Sequence, residues 1–552
     1  MFKQIRFSNY KAFENAELEF KPITILLGAN NVGKSSVIQL LLMLAQTAND
    51  KNNLSALQVN GHNISLGTNN NIFRLKDVSK PITLSFKLSD DFEYTILQNM
   101  YEPLYRLLYY EFLNLKNMGY DEVAKLFKHS TFFTYVSESD KNFNNVCKSI
   151  KDGYNKYENI APSYITHIVP NSTKLIDECM GAYELLNSIS EIIRNQRNNL
   201  FCKLTICYNK SNRNKTNILY LSDLGIYYSD NDGEKKIINI NIKKPLSRAK
   251  LFFTSDVVSL SKLNQELNIN KKQIINDVRS NIFNYFKEIS QYDLYRSYEK
   301  QYISLQLYCI VEILQKALKS VEETINENKI CYVSPLRAYP QRFYFLDRTI
   351  SITSLDTLKG EEIAVTIKND EYLKSKINNW LRHFNIQIEV QTLENLIHKL
   401  KVKHGKLQLD ITDVGFGISQ VLPLITQGFI SKEDSMIIIE QPEVHLHPKM
   451  QAELVDLFID ISLPKSKSGK RDHKKTLLIE THSEYMLKRI RRRIAEGVIS
   501  YNDVGIYYLE RIEGNTSNIR KIDISTTGSF DWPEEFYGGE LLNDMLEFIK
   551  YQ

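Results

Sequence analysis

The sequence predicts an α/β protein whose core is a mixed, mostly parallel β-sheet, interrupted by a large α+β insertion. Three observations predict this class. Short apolar runs alternate with helical patterns at both ends of the chain, and a glycine-containing loop near residue 30 joins an apolar run to an apolar helix. Between residues 81 and 330 the pattern changes to short alternating segments and long stretches rich in Tyr and Leu. Alternating strands and helices are typical of parallel sheets that carry helices on their faces.

The N-terminal half of the predicted core covers residues 1–80. Its first 45 residues have the pattern of two strands, followed by a strand, a loop and a helix. Residues 23–27 (ITILL) fit a buried strand, and residues 35–45 (SSVIQLLLMLA) fit a helix that is buried on most faces.

The insertion is predicted over residues 81–330 and is expected to be largely helical. Residues 102–126 and 301–324 are rich in Tyr and Leu and favour helices, whereas residues 82–88 and 237–244 favour strands. No fixed-period repeat is visible in the sequence.

The C-terminal half of the core is predicted over residues 331–510, and residues 511–552 are expected to form a tail. Four short apolar runs favour strands: residues 407–412, 435–439, 476–479 and 504–509. Three segments between them favour helices: residues 418–427, 448–461 and 483–496. This order again predicts a mostly parallel sheet.

The composition is that of an ordinary globular protein. The 70 basic and 65 acidic residues nearly cancel, so net charge does not argue for a nucleic-acid partner. Two basic runs, residues 465–475 and 488–493, leave contact with DNA or RNA open, although such runs usually only solvate a surface. The N-terminus has no apolar signal sequence, residues 37–45 are too short to cross a bilayer, and six cysteines are scattered. These features predict a cytoplasmic protein with reduced thiols and no membrane association.

A phosphate-binding loop is predicted over residues 28–36 (GANNVGKSS), which match G-x-x-x-x-G-K-[ST]. Glycines let backbone N–H groups face the phosphates, and the following helix adds its positive N-terminal end. We expect Lys34 to reach the β- and γ-phosphates of ATP and the Ser35 hydroxyl to hold Mg²⁺. A chance turn is disfavoured because a strand precedes the loop and a helix follows it. The predicted nucleotide-binding residues are Gly28, Asn30, Asn31, Val32, Gly33, Lys34, Ser35 and Ser36.

A second glycine-containing segment, residues 411–422 (ITDVGFGISQVL), precedes another apolar helix. Gly415 and Gly417 flank Phe416, and Ser419 opens the helix. Small residues before a helix let the backbone approach an anion, and a serine adds a donor. A strand-to-helix turn with two glycines is also common without a ligand, so this segment alone leaves both interpretations open.

An acidic strand end follows at residues 436–443 (MIIIEQPE). Glu440 stands where a buried strand delivers a metal-binding carboxylate to a nucleotide, and the next position, where hydrolysis needs a base, is the amide Gln441. Residues 477–487 (LLIETHSEYML) give another apolar strand, which ends in Thr481, His482 and Ser483 at a helix start. Polar groups at the carboxyl ends of parallel strands lie where α/β sheets bind ligands.

Four segments in this order, residues 9–36, 413–423, 437–448 and 480–487, resemble the ABC-type, SMC-like ATPases of the OLD family. They are especially similar to stand-alone prokaryotic AAA-family ATPases encoded near nucleases or other effectors in phage-defence loci. The resemblance covers the two ends of the chain. It implies an ABC-type P-loop NTPase core that binds ATP and Mg²⁺ and dimerises around them.

By this resemblance, residues 28–35 are the Walker A loop, Glu440 is the Walker B acid and His482 is the switch histidine. Residues 413–420 are the signature motif, which implies that Gly417 and Ser419 lie near the γ-phosphate of the other subunit's ATP. The implied catalytic residues are Glu440, Gln441, Glu443 and His482, and the implied metal ligands are Ser35 and Glu440.

Several other residues have two interpretations. Gln46 is a Q-loop glutamine by its position, or only a polar residue at a helix end. His445 and His447 suggest a metal site, but without further ligands at zinc-like spacing a loop at a dimer contact is favoured. Arg337 and Arg342 bind a phosphate or an interdomain carboxylate, or they only form salt bridges at the surface.

The pattern favours ATP binding with slow hydrolysis. The Gln441 amide orients an attacking water but does not take its proton, and phosphoryl transfer depends mostly on positioning and charge. Glu443 either reaches the same water or is a turn residue. We therefore expect Glu443→Gln to slow turnover further and Gln441→Glu to change it measurably.

Three functions compete at this point. The favoured one is an ATPase that forms a homodimer or a higher homo-oligomer and switches a partner effector, a nuclease or toxin encoded nearby, in prokaryotic defence. The second is an SMC-like ATPase of DNA maintenance or repair, and the third is a scaffold that binds ATP without hydrolysing it. About seventy residues follow His482, too few for the Toprim domain of OLD nucleases, so nuclease activity is expected on a partner chain.

Overall fold

The structure, a computed structural model, describes two compact units. The first contains residues 1–50, 58–82 and 323–552, and the second contains residues 51–57 and 83–322. The described residues are 3–50, 55–89, 92–117, 140–158, 168–210, 217–230, 233–243, 250–276, 280–287, 303–326, 328–337, 341–345, 360–393, 397–466, 469–512, 516–532 and 547–550. Along the chain, the second unit is inserted into the first.

Strands and helices occur in both units. In chain order the strands are β1 (Gln4–Tyr10), β2 (Phe13–Glu19), β3 (Ile23–Leu27), β4 (Ile82–Lys87), β5 (Leu200–Lys210), β6 (Asn217–Asp230), β7 (Gly233–Lys243), β8 (Lys250–Thr254), β9 (Ile330–Val333), β10 (Tyr344–Phe345), β11 (Ile386–Leu393), β12 (Ile397–His404), β13 (Leu407–Asp410), β14 (Met436–Glu440), β15 (Thr476–Glu480), β16 (Val504–Ile512) and β17 (Thr516–Ile522). The helices are α1 (Lys34–Asn49), α2 (Phe92–Asn117), α3 (Asp140–Glu158), α4 (Ile168–Asn195), α5 (Ser261–Ile269), α6 (Lys271–Ile274), α7 (Leu305–Ile325), α8 (Gly360–Asn369), α9 (Glu371–Leu381), α10 (Phe416–Ile430), α11 (Pro448–Ser462) and α12 (Glu484–Ala495).

The main sheet of the first unit is mixed and mostly parallel, which confirms the predicted fold class. Among the described residues its strand order is β1-β2-β17-β16-β3-β15-β14-β9. Neighbours from β16 to β9 are parallel, whereas β1 with β2 and β16 with β17 are antiparallel. β3 and β15 are buried along their whole length, as is typical of parallel strands covered on both faces. The carboxyl ends of β3, β15 and β14 therefore meet at one edge of the sheet.

Helix α12 shows how the sequence forms these elements. Ser483 caps its N-terminus by accepting a hydrogen bond from the N–H of Met486. Met486, Leu487, Ile490 and Ile494 recur at helical spacing and are buried, and the residues between them are mostly charged. Burial of each such side chain contributes about 2 kcal/mol, so packing on one face holds the helix in place.

The predicted elements of the core are confirmed with small differences at their ends, except that β13 pairs antiparallel with β12 in a second sheet instead of joining the parallel strands. The predicted tail, residues 511–552, also contains a strand that was not expected. Residues 516–522 form β17, which pairs with β16 in antiparallel register. The sequence of β17 is TSNIRKI, in which only two residues are apolar, so no hydrophobic pattern marks it. Hydrogen bonding to β16 supplies its order. The helix predicted near residues 540–549 lies mostly outside the described residues.

The second unit combines long helices with strands of its own. Its described strands follow the order β8-β7-β6-β5-β4, with antiparallel pairing from β5 to β8. Helices α2, α3 and α4 pack against one another, and the rings of Phe143 and Tyr183 stack with centroids 3.7 Å apart. The helix predicted over residues 102–126 is described as far as Asn117, and the rest of it lies outside the described residues.

All six cysteines have free thiols, and five of them are buried. Burial raises the pKa of the Cys202 thiol to about 12, which keeps it protonated and unreactive. In the part of the chain that the structure describes, no helix is both long and apolar enough to cross a membrane.

Candidate nucleotide-binding site

The P-loop, residues 28–36, connects β3 to α1. Gly28 and Gly33 have φ angles of 139° and 104°, which side chains rarely allow. A Cβ atom at Gly28 would lie 2.2 Å from the carbonyl oxygen of Leu509, and one at Gly33 would lie 2.8 Å from the ring of Phe13. The path of the loop therefore requires glycine at both positions.

Lys34 is buried at the start of α1. Its Nζ donates to the carbonyl oxygens of Gly28 at 2.9 Å and Ala29 at 2.7 Å. The first turn of α1 contains no acidic residue, so the positive end of this described helix is available to an anion. The exposed residues of the loop are Ala29, Asn30, Asn31 and Ser35, whereas Val32 is buried and Ser36 is half-buried. Ammonium, hydroxyl and backbone donors thus converge on one short loop.

Two carboxylates lie beside the P-loop. β14 and β15 run in parallel register, which makes Glu440 and Glu480 direct neighbours at the ends of their strands. Glu480 Oε2 accepts a hydrogen bond from Ser35 Oγ at 3.4 Å, and Glu480 Oε1 lies 3.8 Å from Lys34 Nζ. Glu440 Oε1 accepts a hydrogen bond from the Tyr332 hydroxyl at 2.8 Å.

The setting of these side chains disfavours their charged forms. Burial and then the charge of Glu440 raise the pKa of Glu480 to about 7, against the opposing effects of Lys34 and the Ser35 hydrogen bond. Burial also raises the pKa of Glu440, against the effect of the Tyr332 hydrogen bond. Burial lowers the pKa of Lys34, which Glu480 opposes. An added cation would stabilise both carboxylates, and the oxygen donors of Ser35, Glu440 and Glu480 suit Mg²⁺.

The segments that follow β14 and β15 are joined by hydrogen bonds. Gln441 has a φ of 44°, uncommon for a non-glycine residue, and its N–H donates to the Glu480 carbonyl oxygen at 2.8 Å. Glu443 Oε1 accepts a hydrogen bond from the His482 N–H at 2.6 Å, and burial raises the pKa of Glu443. Burial and then the charge of Lys34 lower the pKa of His482, which favours its neutral form. The residues expected to be catalytic therefore lie together.

Glu480 was not among the residues expected at the site. The sequence predicts a strand over residues 476–479 and a polar cluster after it. Its signal was positional: Glu480 ends the apolar run of β15 just as Glu440 ends that of β14. The two carboxylates are neighbours because β14 and β15 pair in a register that sets Glu440 opposite Glu480, and the sequence does not show this register.

A family model described as an AAA ATPase domain matches residues 1–487. The chain belongs to this AAA ATPase family. Membership implies ATP binding, the use of Mg²⁺ and ATPase activity. A search of curated proteins found no match.

Solved structures of SMC head domains are also similar to this AAA ATPase. The SMC head domain from Thermotoga maritima is 7% identical with a TM-score of 0.31, covering 95% of this chain and 99% of that one. An Smc head domain from Pyrococcus furiosus, with an extended coiled coil and bound to the C-terminal domain of ScpA, is 10% identical with a TM-score of 0.32, covering 100% and 99%. Because both TM-scores are low, the assignment rests on the family model.

Arg337 joins the turn after β14 to helix α10 of the AAA ATPase. Its side chain is buried, with 5% of the residue exposed. Nη1 donates to the Gln420 carbonyl oxygen at 3.1 Å, and Nη2 donates to those of Glu440 at 3.2 Å and Gln441 at 3.3 Å. Burial lowers the pKa of Arg337 to about 10, against the attraction of Glu443. None of its expected roles, on a phosphate, on an interdomain carboxylate or in a surface pair, describes this residue, because its acceptors are backbone carbonyl groups.

The signature segment, residues 411–422, leads into α10. Asp413 and Gly415 are exposed, and a Cβ atom at Gly415 would meet no atom within 4 Å. A Cβ atom at Gly417 would lie 3.5 Å from the His445 carbonyl oxygen, so Gly417 packs beside the turn after β14. Ser419 is buried in the first turn of α10. The part of this segment that another molecule can reach is therefore the backbone around Gly415.

Gln46 anchors a loop of the first unit. Its Nε2 donates to the Gln58 carbonyl oxygen at 2.6 Å, and its Oε1 accepts from the Ile64 N–H at 3.3 Å. The residue is buried. These contacts favour a structural role over that of a Q-loop glutamine.

His447 and Arg342 also have identifiable structural partners. His447 caps α11, since its Nδ1 accepts a hydrogen bond from the Lys449 N–H at 3.3 Å. Arg342 Nη2 contacts Asp413 Oδ1 at 3.0 Å, and its side chain is more than half exposed. Arg342 therefore pairs at the surface, as one of its two interpretations predicted.

Acidic residues already neutralise much of the two basic runs. Arg489 and Arg493 of α12 both contact Asp456 of α11, at 2.6 and 2.5 Å. In the other run, Arg471 Nη1 lies 3.0 Å from Asp460 Oδ1. Paired charge of this kind is less available to a nucleic-acid backbone.

Proposed function

We propose that this AAA ATPase is a switch in which two copies associate around ATP, hydrolyse it slowly and control a partner effector in prokaryotic defence. One observation carries the ATP-dependent part: Lys34 and Ser35 of the P-loop face the neighbouring carboxylates Glu440 and Glu480. Phosphate donors and oxygen ligands for Mg²⁺ are thus combined in one place. Bound Mg²⁺ would neutralise charge on the phosphates.

Slow hydrolysis is supported by the groups around Gln441. Its N–H is bonded to Glu480 and its carbonyl oxygen to Arg337, so the backbone that carries its amide is fixed. A fixed amide orients water, which supports turnover by positioning alone. Glu443 is the carboxylate that remains to accept a proton: its Oε2 is buried and has no hydrogen-bond partner among the described residues.

Association of two copies is supported by the signature segment. Its exposed backbone around Gly415 opens α10, a helix whose first turn contains no acidic residue, and such a helix start attracts anions. In the proposed dimer this helix end approaches the γ-phosphate held by the P-loop of the other copy. His482 Nε2, which is buried and has no hydrogen-bond partner in the described part of the chain, is available to the γ-phosphate held by the P-loop of its own copy.

Control of an effector is supported by the resemblance of the four sequence segments to stand-alone ATPases of phage-defence loci. By that resemblance the effector is a nuclease or toxin encoded nearby. A role in DNA maintenance has less support, because Asp456 already pairs with Arg489 and Arg493 of the more basic run.

Turnover of ATP by the purified protein, with and without DNA, tests the enzymatic part. We expect Mg²⁺-dependent hydrolysis below about 1 per second, lowered further by Glu443→Gln and measurably changed by Gln441→Glu. Fast turnover that is indifferent to both substitutions would contradict slow hydrolysis. An ATP-dependent dimer without any turnover would instead identify a scaffold, the function that the amide at Gln441 favours next.

Co-purification with the product of the neighbouring gene tests the effector part. We expect a complex whose effector activity differs between ATP and ADP. If the two proteins do not associate in either nucleotide state, control of that effector is ruled out, and ATP turnover is unaffected by this result.

A further inference from the structure

We propose that Glu480 is a metal-holding carboxylate of this site and acts on Mg²⁺ together with the Ser35 hydroxyl. The inference rests on the proposed ATPase function and adds a residue to it. The sequence motifs imply only Ser35 and Glu440 as metal ligands. The structure adds a second acid, delivered by the strand that lies between β14 and β3.

The position of Glu480 is the first argument. β15 pairs on one side with β14, opposite Glu440, and on the other with β3, opposite Leu26, two residues before the P-loop begins. Its carboxylate consequently lies under the start of α1, within 3.4 Å of Ser35 Oγ. An Mg²⁺ ion held by the Ser35 hydroxyl would lie next to the hydrogen-bond partner of that hydroxyl, which is Glu480.

The partners of Glu440 are the second argument. One of its carboxylate oxygens accepts the 2.8 Å hydrogen bond from Tyr332 of β9, on the side of β14 away from the P-loop. Glu480 ends β15, the neighbouring strand on the side of β14 that is toward the P-loop. Its contacts are with Lys34 and Ser35, the two side chains that the P-loop supplies to a nucleotide.

Charge is the third argument. Glu480 lies 3.8 Å from Lys34 Nζ, and Glu440 and Glu443 also act electrostatically on this one ammonium group. Glu480 is 4% exposed, so water does little to solvate its charge. A divalent cation bound with ATP would compensate this excess of buried negative charge.

The number of ligands also suits a nucleotide-bound ion. No group of three or more acidic, His or Cys side chains is arranged to hold a metal by itself in the described residues. Mg²⁺ in nucleotide sites needs only one or two carboxylates, because phosphates and waters complete its coordination. Glu480 and Glu440, with the Ser35 hydroxyl, meet this requirement.

The test compares Glu480→Gln and Glu440→Gln with Glu433→Gln, a control at an exposed acid that pairs with Lys474. The Gln variant of Glu480 is isosteric and removes a buried charge, so we expect it to fold. Mn²⁺ binding is measured by electron paramagnetic resonance with a non-hydrolysable ATP analogue. Binding of a fluorescent ATP analogue in EDTA is measured in parallel, because it reports on the P-loop without metal. Glu480→Asp serves as the conservative variant.

We expect Glu480→Gln to weaken Mn²⁺ binding about 10- to 100-fold, at least as much as Glu440→Gln, with nucleotide binding in EDTA retained. Glu480→Asp should recover part of the affinity, which a purely structural role does not predict. Unchanged Mn²⁺ affinity in Glu480→Gln, with loss in Glu440→Gln, would overturn the inference and leave the proposed ATPase function intact. Absence of nucleotide binding by the unmodified protein would instead overturn the proposed function, and this inference with it.

Discussion

The P-loop and the signature segment share one local pattern, a glycine-containing turn that precedes an apolar helix, but the two turns differ in backbone conformation and in the side chains around them. In the P-loop, Gly28 and Gly33 adopt positive φ, and Lys34 follows at once. The signature segment opens α10 at Gly415 with an ordinary φ of −52°, and no lysine follows. Glycine before a helix therefore does not by itself define a phosphate site.

The groups that neighbouring strands add account for the difference. β14 and β15 bring Glu440 and Glu480 to the P-loop, so the two carboxylates that we propose as metal ligands lie beside its donor groups. The signature segment receives Arg337 instead, which bonds the Gln420 carbonyl group and ties α10 to the turn after β14. One segment is equipped to bind nucleotide within its own chain, and the other is exposed where a second copy can reach it.

The largest effect is expected at the P-loop, from Lys34→Ala. This change removes the buried ammonium group that faces the phosphate-binding loop, and we expect turnover to fall at least about 100-fold with loss of ATP affinity. Turnover and calorimetric titration with ATP measure the two effects. The control is Lys432→Ala, at an exposed lysine, which should leave both unchanged. Retention of tight ATP binding without Lys34 would show that the two segments differ less than their geometry indicates.

The next largest effect is expected at the signature segment, from Gly415→Glu. A side chain fits there without a clash inside the chain, since a Cβ atom would meet nothing within 4 Å. The added negative charge would repel the phosphate of a second copy, so we expect ATP binding to remain while ATP-dependent dimerisation is lost and turnover falls about 10-fold or more.

Light scattering with ATP and Mg²⁺ measures the dimer. Gly415→Ala is the matched control, because it fills the same open space without charge and should behave as the unmodified protein. If Gly415→Glu dimerises normally, the signature segment does not lie at the interface, and its likeness to a phosphate-binding turn is only local.

A stability effect of intermediate size is expected from Arg337→Met. Three carbonyl groups, of Gln420, Glu440 and Gln441, would each lose a charged donor, the first of them fully buried, and we expect the free energy of unfolding to fall by about 3 kcal/mol. Chemical denaturation measures it. Arg342→Met is the control: its ion pair with Asp413 is half exposed, so its loss should cost below about 1 kcal/mol. Equal effects in the two variants would mean that Arg337 does not link α10 to the turn after β14.

Residues whose role follows from their immediate neighbours in sequence could be predicted. β3, the P-loop and α1 form one continuous segment, so pattern alone placed Lys34 and Ser35 correctly at a helix start. The same holds for β14 with Glu440, because a buried strand that ends in an acid is visible locally.

Residues whose role depends on distant partners could not be predicted. Glu480 becomes a site residue only through the register of β15 between β3 and β14, which single-strand patterns do not specify. Arg337 is explained by backbone carbonyl groups roughly 80 to 100 positions away, and such acceptors have no residue signature. β17 was missed for the same physical reason, since its order comes from pairing with β16.

The smallest effect is expected at the far end of the signature helix, which Lys475 contacts. Its Nζ donates to the carbonyl oxygens of Gly428 at 2.8 Å and Phe429 at 3.3 Å, in the last turn of α10, which has no basic residue of its own. Burial lowers the pKa of Lys475 to about 8 from an ordinary value of 10.5. Between these two values the unfolded chain binds more protons than the folded one, so this lysine makes stability rise with pH.

We expect the free energy of unfolding to gain about 1.5 kcal/mol between pH 8 and pH 9.5 from this residue, and Lys475→Met to abolish that gain. Denaturation at several pH values measures it. Lys474→Met is the matched control, because Lys474 is half-exposed, pairs with Glu433 and should leave the slope unchanged. A slope that persists in Lys475→Met would show that the lysine stays charged in the folded protein, held by the helix carbonyl groups strongly enough to offset its burial. The end of α10 would then bind a cation as firmly as the start of α1 is proposed to bind an anion.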